Sequence, residues 1–89
     1  MKLSMDEITE QMEQFKEGQI LKFGIPEIFG GGVAVVGLNP NYPGKGEKKY
    51  LLKVGDNEKL AEEGKPYWSS DKAGAVAKWV ADRQGDQIS

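Results

Sequence analysis

The lysines and aromatic residues are the side chains of this sequence with the clearest binding chemistry, and many of them fall in one stretch. Residues 39–49 read Asn-Pro-Asn-Tyr-Pro-Gly-Lys-Gly-Glu-Lys-Lys. Ammonium groups interleaved with aromatic rings can follow phosphates and stack bases. Trp68 follows Pro66 in an extended segment and is of the residue type that anchors protein partners. The candidate ligand-binding residues are Lys22, Tyr42, Lys45, Lys48, Lys49, Tyr50, Lys53 and Trp68.

The charge of the chain is unevenly distributed. The net charge is -2, but residues 1–17 and 56–63 each carry -3, residues 18–55 carry +3 and residues 64–89 carry +1. The basic segment therefore coincides with the lysine-rich loop and the strands expected around it. Two interpretations remain open, because lysines can bind phosphate and can also discourage edge-to-edge aggregation of strands.

Catalysis has little support in these residue types. The chain has no His and no Cys, which excludes imidazole bases, thiolate chemistry and the common zinc sites. Ser69 and Ser70 have no recognisable base beside them and are better read as helix caps. Asp56 and Glu58 do not make a calcium loop, and the glycines at 30–32 precede a strand, where they indicate a turn. We expect no enzyme activity, no metal and no cofactor.

The N-terminal segment has the pattern of an amphipathic helix. Ser4 and Glu7 have the spacing of a capping box, and Gly18 is a typical stop signal. The apolar stripe consists of Met5, Ile8, Met12 and Phe15. These signals predict a helix from Met5 to Glu17.

Three segments in the middle of the chain have the character of β-strands: side chains alternate between two faces in residues 19–25 and 48–55, and residues 32–38 are rich in β-branched residues and apolar on both faces. Strands are expected at residues 19–25, 32–38 and 48–55. One or two helical turns are expected at residues 56–64, and a short fourth strand at 65–68. A second long helix, capped by Ser69 or Ser70, is expected to end at Gly85.

These elements predict a single α+β domain over residues 1–85, followed by a disordered tail at 86–89. The order is α-β-β-β-α, with a three- or four-stranded antiparallel sheet covered on one face by the two helices. Lys22, Lys49 and Lys53 would lie on the other sheet face if the strand registers agree.

The sequence alone favours a small non-enzymatic binding module that works through a protein partner or through self-association. The alternative is a single-stranded nucleic-acid binder that uses the basic sheet face and the loop at 39–49. The first residues lack the apolar core of a signal peptide, and no apolar run approaches the roughly 18 residues of a membrane span. A cytoplasmic protein without membrane contact is therefore expected.

Overall fold

The computed structural model describes residues 1–89 and contains three α-helices, one 3₁₀ turn and five β-strands. In chain order they are α1 (Met5–Glu13), β1 (Ile20–Gly24), the 3₁₀ turn (Glu27–Phe29), β2 (Val33–Leu38), β3 (Tyr50–Gly55), α2 (Glu58–Glu63), β4 (Trp68–Ser70), α3 (Ala73–Asp82) and β5 (Asp86–Ile88). The predicted α+β class is confirmed. The sheet has one strand more than the upper prediction of four.

The five strands form one antiparallel sheet in the order β4-β3-β2-β1-β5. Its inner face packs under α1 and α3 and carries Leu21, Phe23, Ala34, Val36, Tyr50 and Leu52. Phe23 pairs with Ala34, and Val36 pairs with both Leu21 and Leu52, so one register unites the apolar residues of three strands. Fully burying a side chain such as Phe23 contributes roughly 1.5–3 kcal/mol.

Helix α1 begins where the sequence predicts but ends four residues earlier, at Glu13 instead of Glu17. The Ser4 hydroxyl accepts from the Glu7 amide at 3.1 Å, and the Glu7 carboxylate accepts from the Ser4 amide at 2.9 Å. The early end has a local cause, because the Gln19 side chain accepts from the Lys16 amide at 2.7 Å and stabilises a turn there. Gly18, with φ +86°, lies inside this turn.

The tail expected at residues 86–89 is wrong for most of its length, since Asp86–Ile88 form β5 and pair with β1. Gly85 makes this return possible. A Cβ atom at Gly85 would lie 2.7 Å from Val80 Cγ1 and 3.1 Å from Phe23 Cβ. Because only glycine fits so close to the core, Gly85 allows a short connection between α3 and β5.

The outer face of the sheet, opposite α1 and α3, is partly covered by α2. Ala61 of this helix is fully buried. A Cβ atom at Gly55 would lie 2.5 Å from the Ala61 nitrogen, so glycine allows the helix to rest directly on β3. The outer face is therefore less open than the pattern of lysines in the predicted strands indicates.

Candidate protein-binding surface

Of the three lysines predicted on the outer face, Lys22 and Lys53 lie there and both contact α2, whereas Lys49 precedes β3 and lies outside the sheet. Lys22 Nζ lies 2.6 Å from Glu58 Oε1. Lys53 Nζ donates to the main-chain carbonyl of Glu62 at 3.1 Å. These two ammonium groups hold the helix on the sheet.

The predicted residues of the loop form a second group. Asn39, which is 7% exposed, organises the loop by donating to Glu47 Oε2 at 3.1 Å and to the Lys48 carbonyl at 2.9 Å. Lys45 and Tyr42 are exposed. Lys48 Nζ lies 3.8 Å from Asp71 Oδ2, at the start of the segment that leads into α3.

Tyr50 and Lys49 adjoin each other in sequence but differ in burial. Tyr50 belongs to the core and is 4% exposed. The Lys49 ammonium is exposed and lies 5.4 Å from the centre of the Tyr50 ring. The Tyr50 ring is therefore unavailable to stack on a base, whereas Tyr42 is available.

Trp68 lies on a third surface, on the helix side of the sheet. It pairs with Leu52 across β3 and β4 and faces α3 from the rim of the sheet. The structure thus distributes the eight predicted residues over the outer face, the loop, the core and this rim.

At the rim of the sheet two exposed aromatic side chains, Tyr67 and Trp68, lie beside the half-buried Trp79, which packs against the core. We call this part of the rim the aromatic edge and define it by Tyr67, Trp68, Trp79 and Arg83. The Tyr67 and Trp79 rings meet edge to face with centroids 5.9 Å apart. The Arg83 guanidinium carbon lies 3.9 Å from the centre of the Trp79 ring. An open cleft of about 620 Å³ lies among these side chains and is also lined by Ala75, Lys78 and Asp82 of α3.

Local structure explains why these side chains meet. The Tyr67 amide donates to the Leu52 carbonyl at 2.8 Å, which fixes the approach of the chain to β4. Trp79 and Arg83 are four residues apart on α3 and its C-cap, so they lie one turn above each other. Arg83 Nη1 also donates to the Trp79 carbonyl at 3.1 Å. That four-residue spacing is the only sequence signal that links Arg83 to Trp79.

Strand β4 has β3 as its one neighbour and therefore leaves a sheet edge unpaired. It is only three residues long and is flanked by Lys65-Pro66 and Asp71-Lys72. Short length, proline and charge are the features that block addition of a further strand. A partner at this edge would consequently contact side chains and would not extend the sheet.

The outer face has a smaller groove of about 240 Å³ between α2 and the loop. Gly37 and Leu51 lie at its floor, and Lys53 and Glu62 lie at its rim. Its volume is below the roughly 300 Å³ at which small-molecule pockets begin, and its charges are of both signs.

Three titratable groups have displaced pKa values, and each has a structural partner. Hydrogen bonds with Ser4 lower the pKa of Glu7. The hydrogen bond to Glu58 raises the pKa of Lys22. The N-terminal ammonium, 2.6 Å from the Asp86 carboxylate, lowers the pKa of Asp86. No three carboxylates meet as a set of metal ligands.

Comparison of the chain with protein-family models, with curated proteins and with solved structures found no match. None of the three helices has the length and apolar character that crossing a membrane requires.

Proposed function

We propose that this protein is a small non-enzymatic binding module that acts through protein contacts at the aromatic edge. One observation carries the proposal: both tryptophans of the chain gather at this edge with Tyr67 and Arg83. Tryptophan, tyrosine and arginine are the residue types that dominate binding energy in protein interfaces. The partner is another protein or a second copy of this chain.

Exposure of the aromatic edge supports the proposal. Tyr67 is 61% exposed and Trp68 is 41% exposed, although both are large rings. A single exposed aromatic residue is ordinary, but a cluster of them around a cleft is typical of an interaction site. The edge-to-face contact with Trp79 restricts the Tyr67 ring, so less conformational entropy is lost when this ring binds a partner.

The non-enzymatic part of the proposal rests on the chemistry available. The sequence offers no imidazole or thiol. The groups with displaced pKa values are engaged by a helix cap, by an ion pair with α2 and by the N-terminal ammonium. A carboxylate or a lysine acts as a general acid or base near neutral pH when its pKa is displaced toward that pH. The contacts of Glu7, Lys22 and Asp86 displace their pKa values in the opposite direction.

The experiment is a selection of displayed random peptides on the intact protein, combined with sedimentation at increasing protein concentration. The two indole N–H signals in a ¹H–¹⁵N spectrum report on the aromatic edge alone, because both tryptophans lie there. We expect selected peptides, or the protein itself, to shift these signals. Trp68→Ala should weaken the interaction at least about tenfold, the 1.4 kcal/mol expected of a central anchor.

Lys59→Ala is the matched control, since Lys59 is an exposed residue of α2 on the other side of the sheet. Peptides that bind without moving either indole signal, with equal affinity for the wild type and Trp68→Ala, would refute the proposal. Strict monomeric behaviour with no selected peptide would refute it as well.

Single-stranded nucleic-acid binding is the second candidate, and it is favoured by one observation. Tyr42, Lys45, Lys48 and Lys49 belong to the same loop, and three of these four are cations. The candidate has less support than the aromatic edge, because Tyr50 is buried and Lys22 is paired with Glu58.

A further inference from the structure

We propose that the aromatic edge takes an acidic segment of its partner protein, with a carboxylate bound by Arg83 and an apolar side chain in the cleft beside it. This inference deepens the proposed function and rests on it. Three features of the edge carry it: its unpaired cations, the fixed position of Arg83 and the apolar lining of the cleft.

The charged residues that line the cleft leave one positive charge after internal pairing, because Lys78 pairs with Asp82 and Arg83 forms no ion pair. Asp71, which follows β4, forms an ion pair with Lys48. Arg83, Lys65 and Lys72 take part in none of the four ion pairs of the structure. Lys65 and Lys72 flank β4 in the sequence, on either side of Trp68. A partner with carboxylates complements this pattern.

Arg83 is positioned to accept a carboxylate. Its guanidinium lies flat enough against Trp79 to bring the central carbon within 3.9 Å of the ring centre, and one N–H donates to the Trp79 carbonyl. A guanidinium has five N–H donors, so four remain for a ligand. Two parallel N–H groups match the two oxygens of a carboxylate, and a held guanidinium loses little entropy on forming these bonds.

The cleft next to Arg83 supplies the place for an apolar side chain. Its apolar lining consists of Tyr67, Trp68, Ala75 and Trp79, and the charged residues Lys78, Asp82 and Arg83 complete the lining. Burial of an apolar group here contributes the larger part of the affinity, while Arg83 selects the charge of the neighbouring residue. The expected ligand is therefore a leucine- or phenylalanine-type anchor next to aspartate or glutamate.

Geometry favours an acidic peptide over a nucleic acid at this edge. A base stacks on a free aromatic face. Arg83 already covers a face of Trp79, and Tyr67 packs against Trp79 with an interplanar angle of 62°. Trp68 remains, and one ring does not form a stacking platform for successive bases.

The peptides selected on the intact protein test the charge preference directly. We expect those that shift the indole signals to be enriched in aspartate and glutamate. A synthetic form of one such peptide should bind at least about tenfold more tightly than its twin with every acid replaced by its amide. Added salt should weaken the acidic form and leave the amide twin almost unaffected.

Arg83→Gln tests the assigned residue, and Lys59→Gln removes the same charge far from the edge. We expect Arg83→Gln to abolish the preference for the acidic peptide over its amide twin, and Lys59→Gln to preserve it. Lys72→Gln is a second variant that leaves the Trp79 contact intact and should reduce the preference partially.

The possible outcomes distinguish a failure of the acidic-partner proposal from a failure of the proposed binding function. Peptides that bind the aromatic edge equally well as acids and as amides refute the acidic partner and leave the binding function standing. Oligothymidylate that shifts the same indole signals and loses affinity in Arg83→Gln also refutes it, in favour of a nucleic-acid ligand. Absence of any peptide at the edge refutes the acidic partner, and it refutes the binding function as well when the protein also stays monomeric.

Discussion

The ammonium of Lys22 lies 2.6 Å from a carboxylate oxygen of Glu58 and joins β1 to α2 across the outer face of the sheet. The two residues are 36 positions apart in the sequence, and Lys22 is the less exposed of the pair. Helix α2 has only six residues and is too short to be stable alone. Its position therefore depends on this ion pair, on the hydrogen bond from Lys53 to the Glu62 carbonyl and on the contact of Ala61 with Gly55.

We predict that Glu58→Gln loosens α2 and lowers the free energy of unfolding at neutral pH. Because the hydrogen bond raises the pKa of Lys22, the stabilisation is complete below the ordinary lysine pKa of about 10.4. It is lost as the pH rises through the raised value in the folded protein. Urea unfolding at neutral pH and above pH ~11 measures the free energy of unfolding of both proteins. The difference in this free energy between wild type and Glu58→Gln should be smaller at the alkaline pH.

Glu63→Gln is the control for this comparison, since Glu63 lies on the same helix and forms no ion pair. It should leave both the unfolding free energy and its alkaline decline unchanged. A gap between wild type and Glu58→Gln that persists unchanged in alkali would show that Lys22 does not stabilise α2 through its charge.

The sequence predicts the inner face of this fold well, because period and spacing are local signals. The alternation in residues 19–25 and 48–55 and the β-branched residues of 32–38 predict three strands that the structure contains, and Ser4 with Glu7 predicts the start of α1. The sequence does not predict β5, because Asp86–Ile88 is short and polar and forms a strand only through its pairing with β1. Such pairing is a tertiary interaction, and the strand propensity of the local sequence does not predict it.

The candidate site was less accessible to sequence reasoning. Trp68 was identified from its type and its neighbour Pro66, and its exposure agrees with that role. Its companions on α3 lie eleven and fifteen residues further along the chain, and only the packing of α3 beside β4 brings them together. The lysines were identified by charge, but Lys22 was assigned to an open face because nothing in the sequence places α2 over it.

Two glycines should respond in opposite directions to substitution by alanine. Gly55→Ala would place a Cβ atom 2.5 Å from the Ala61 nitrogen, so we expect a loss of about 1–3 kcal/mol as α2 is displaced. Gly74→Ala would meet only Thr9 Oγ1 at 3.9 Å and should stabilise α3 by up to about 1 kcal/mol. Thermal and urea unfolding of both variants measure the changes. Equal effects on both would show that space around the backbone does not decide the outcome.

Truncation after Gly85 tests the fifth strand. Removal of β5 leaves the outward amides of β1 unpaired, so we expect their hydrogen exchange to accelerate several-fold. Removal of Ser89 alone, which lies beyond the strand, is the control. Unchanged exchange in β1 after the longer truncation would mean that residues 86–88 behave as the tail that the sequence suggested.

The capping box of α1 should make the free energy of unfolding depend on pH in the acidic range. Hydrogen bonds with Ser4 lower the pKa of Glu7, so the contribution of its charge is present above the ordinary glutamate pKa of about 4.3. It is lost as the pH falls through the lower value in the folded protein. Glu7→Gln should therefore be less stable than wild type at neutral pH, and this difference should vanish in acid.

Ser4→Ala removes the other half of the box and should cost about 1 kcal/mol. It should also bring the Glu7 pKa back toward its ordinary value, which carbon-13 NMR of the carboxylate can follow. Glu10→Gln is the matched control, because Glu10 is an exposed residue of the same helix outside the cap. An unchanged Glu7 pKa in Ser4→Ala would contradict the assignment of its cause.

The nucleic-acid alternative makes a prediction that the aromatic edge does not share. If the loop binds single strands, the combined variant Lys45→Glu, Lys48→Glu, Lys49→Glu should abolish binding of a mixed-sequence oligonucleotide at low salt. The wild-type affinity should fall steeply with salt, with a logarithmic slope of about -0.7 for each phosphate contacted. Fluorescence anisotropy of a labelled oligonucleotide measures both quantities.

The matched control for the loop is Lys2→Glu, Lys16→Glu, Lys59→Glu, which makes the same change in net charge outside residues 39–49. A loop site predicts that this control retains most of the affinity, because contacts and not total charge determine binding. Equal loss in both triple variants would indicate attraction by overall charge alone. No binding by the wild type at low salt would eliminate the nucleic-acid alternative and leave the aromatic edge as the binding surface to pursue.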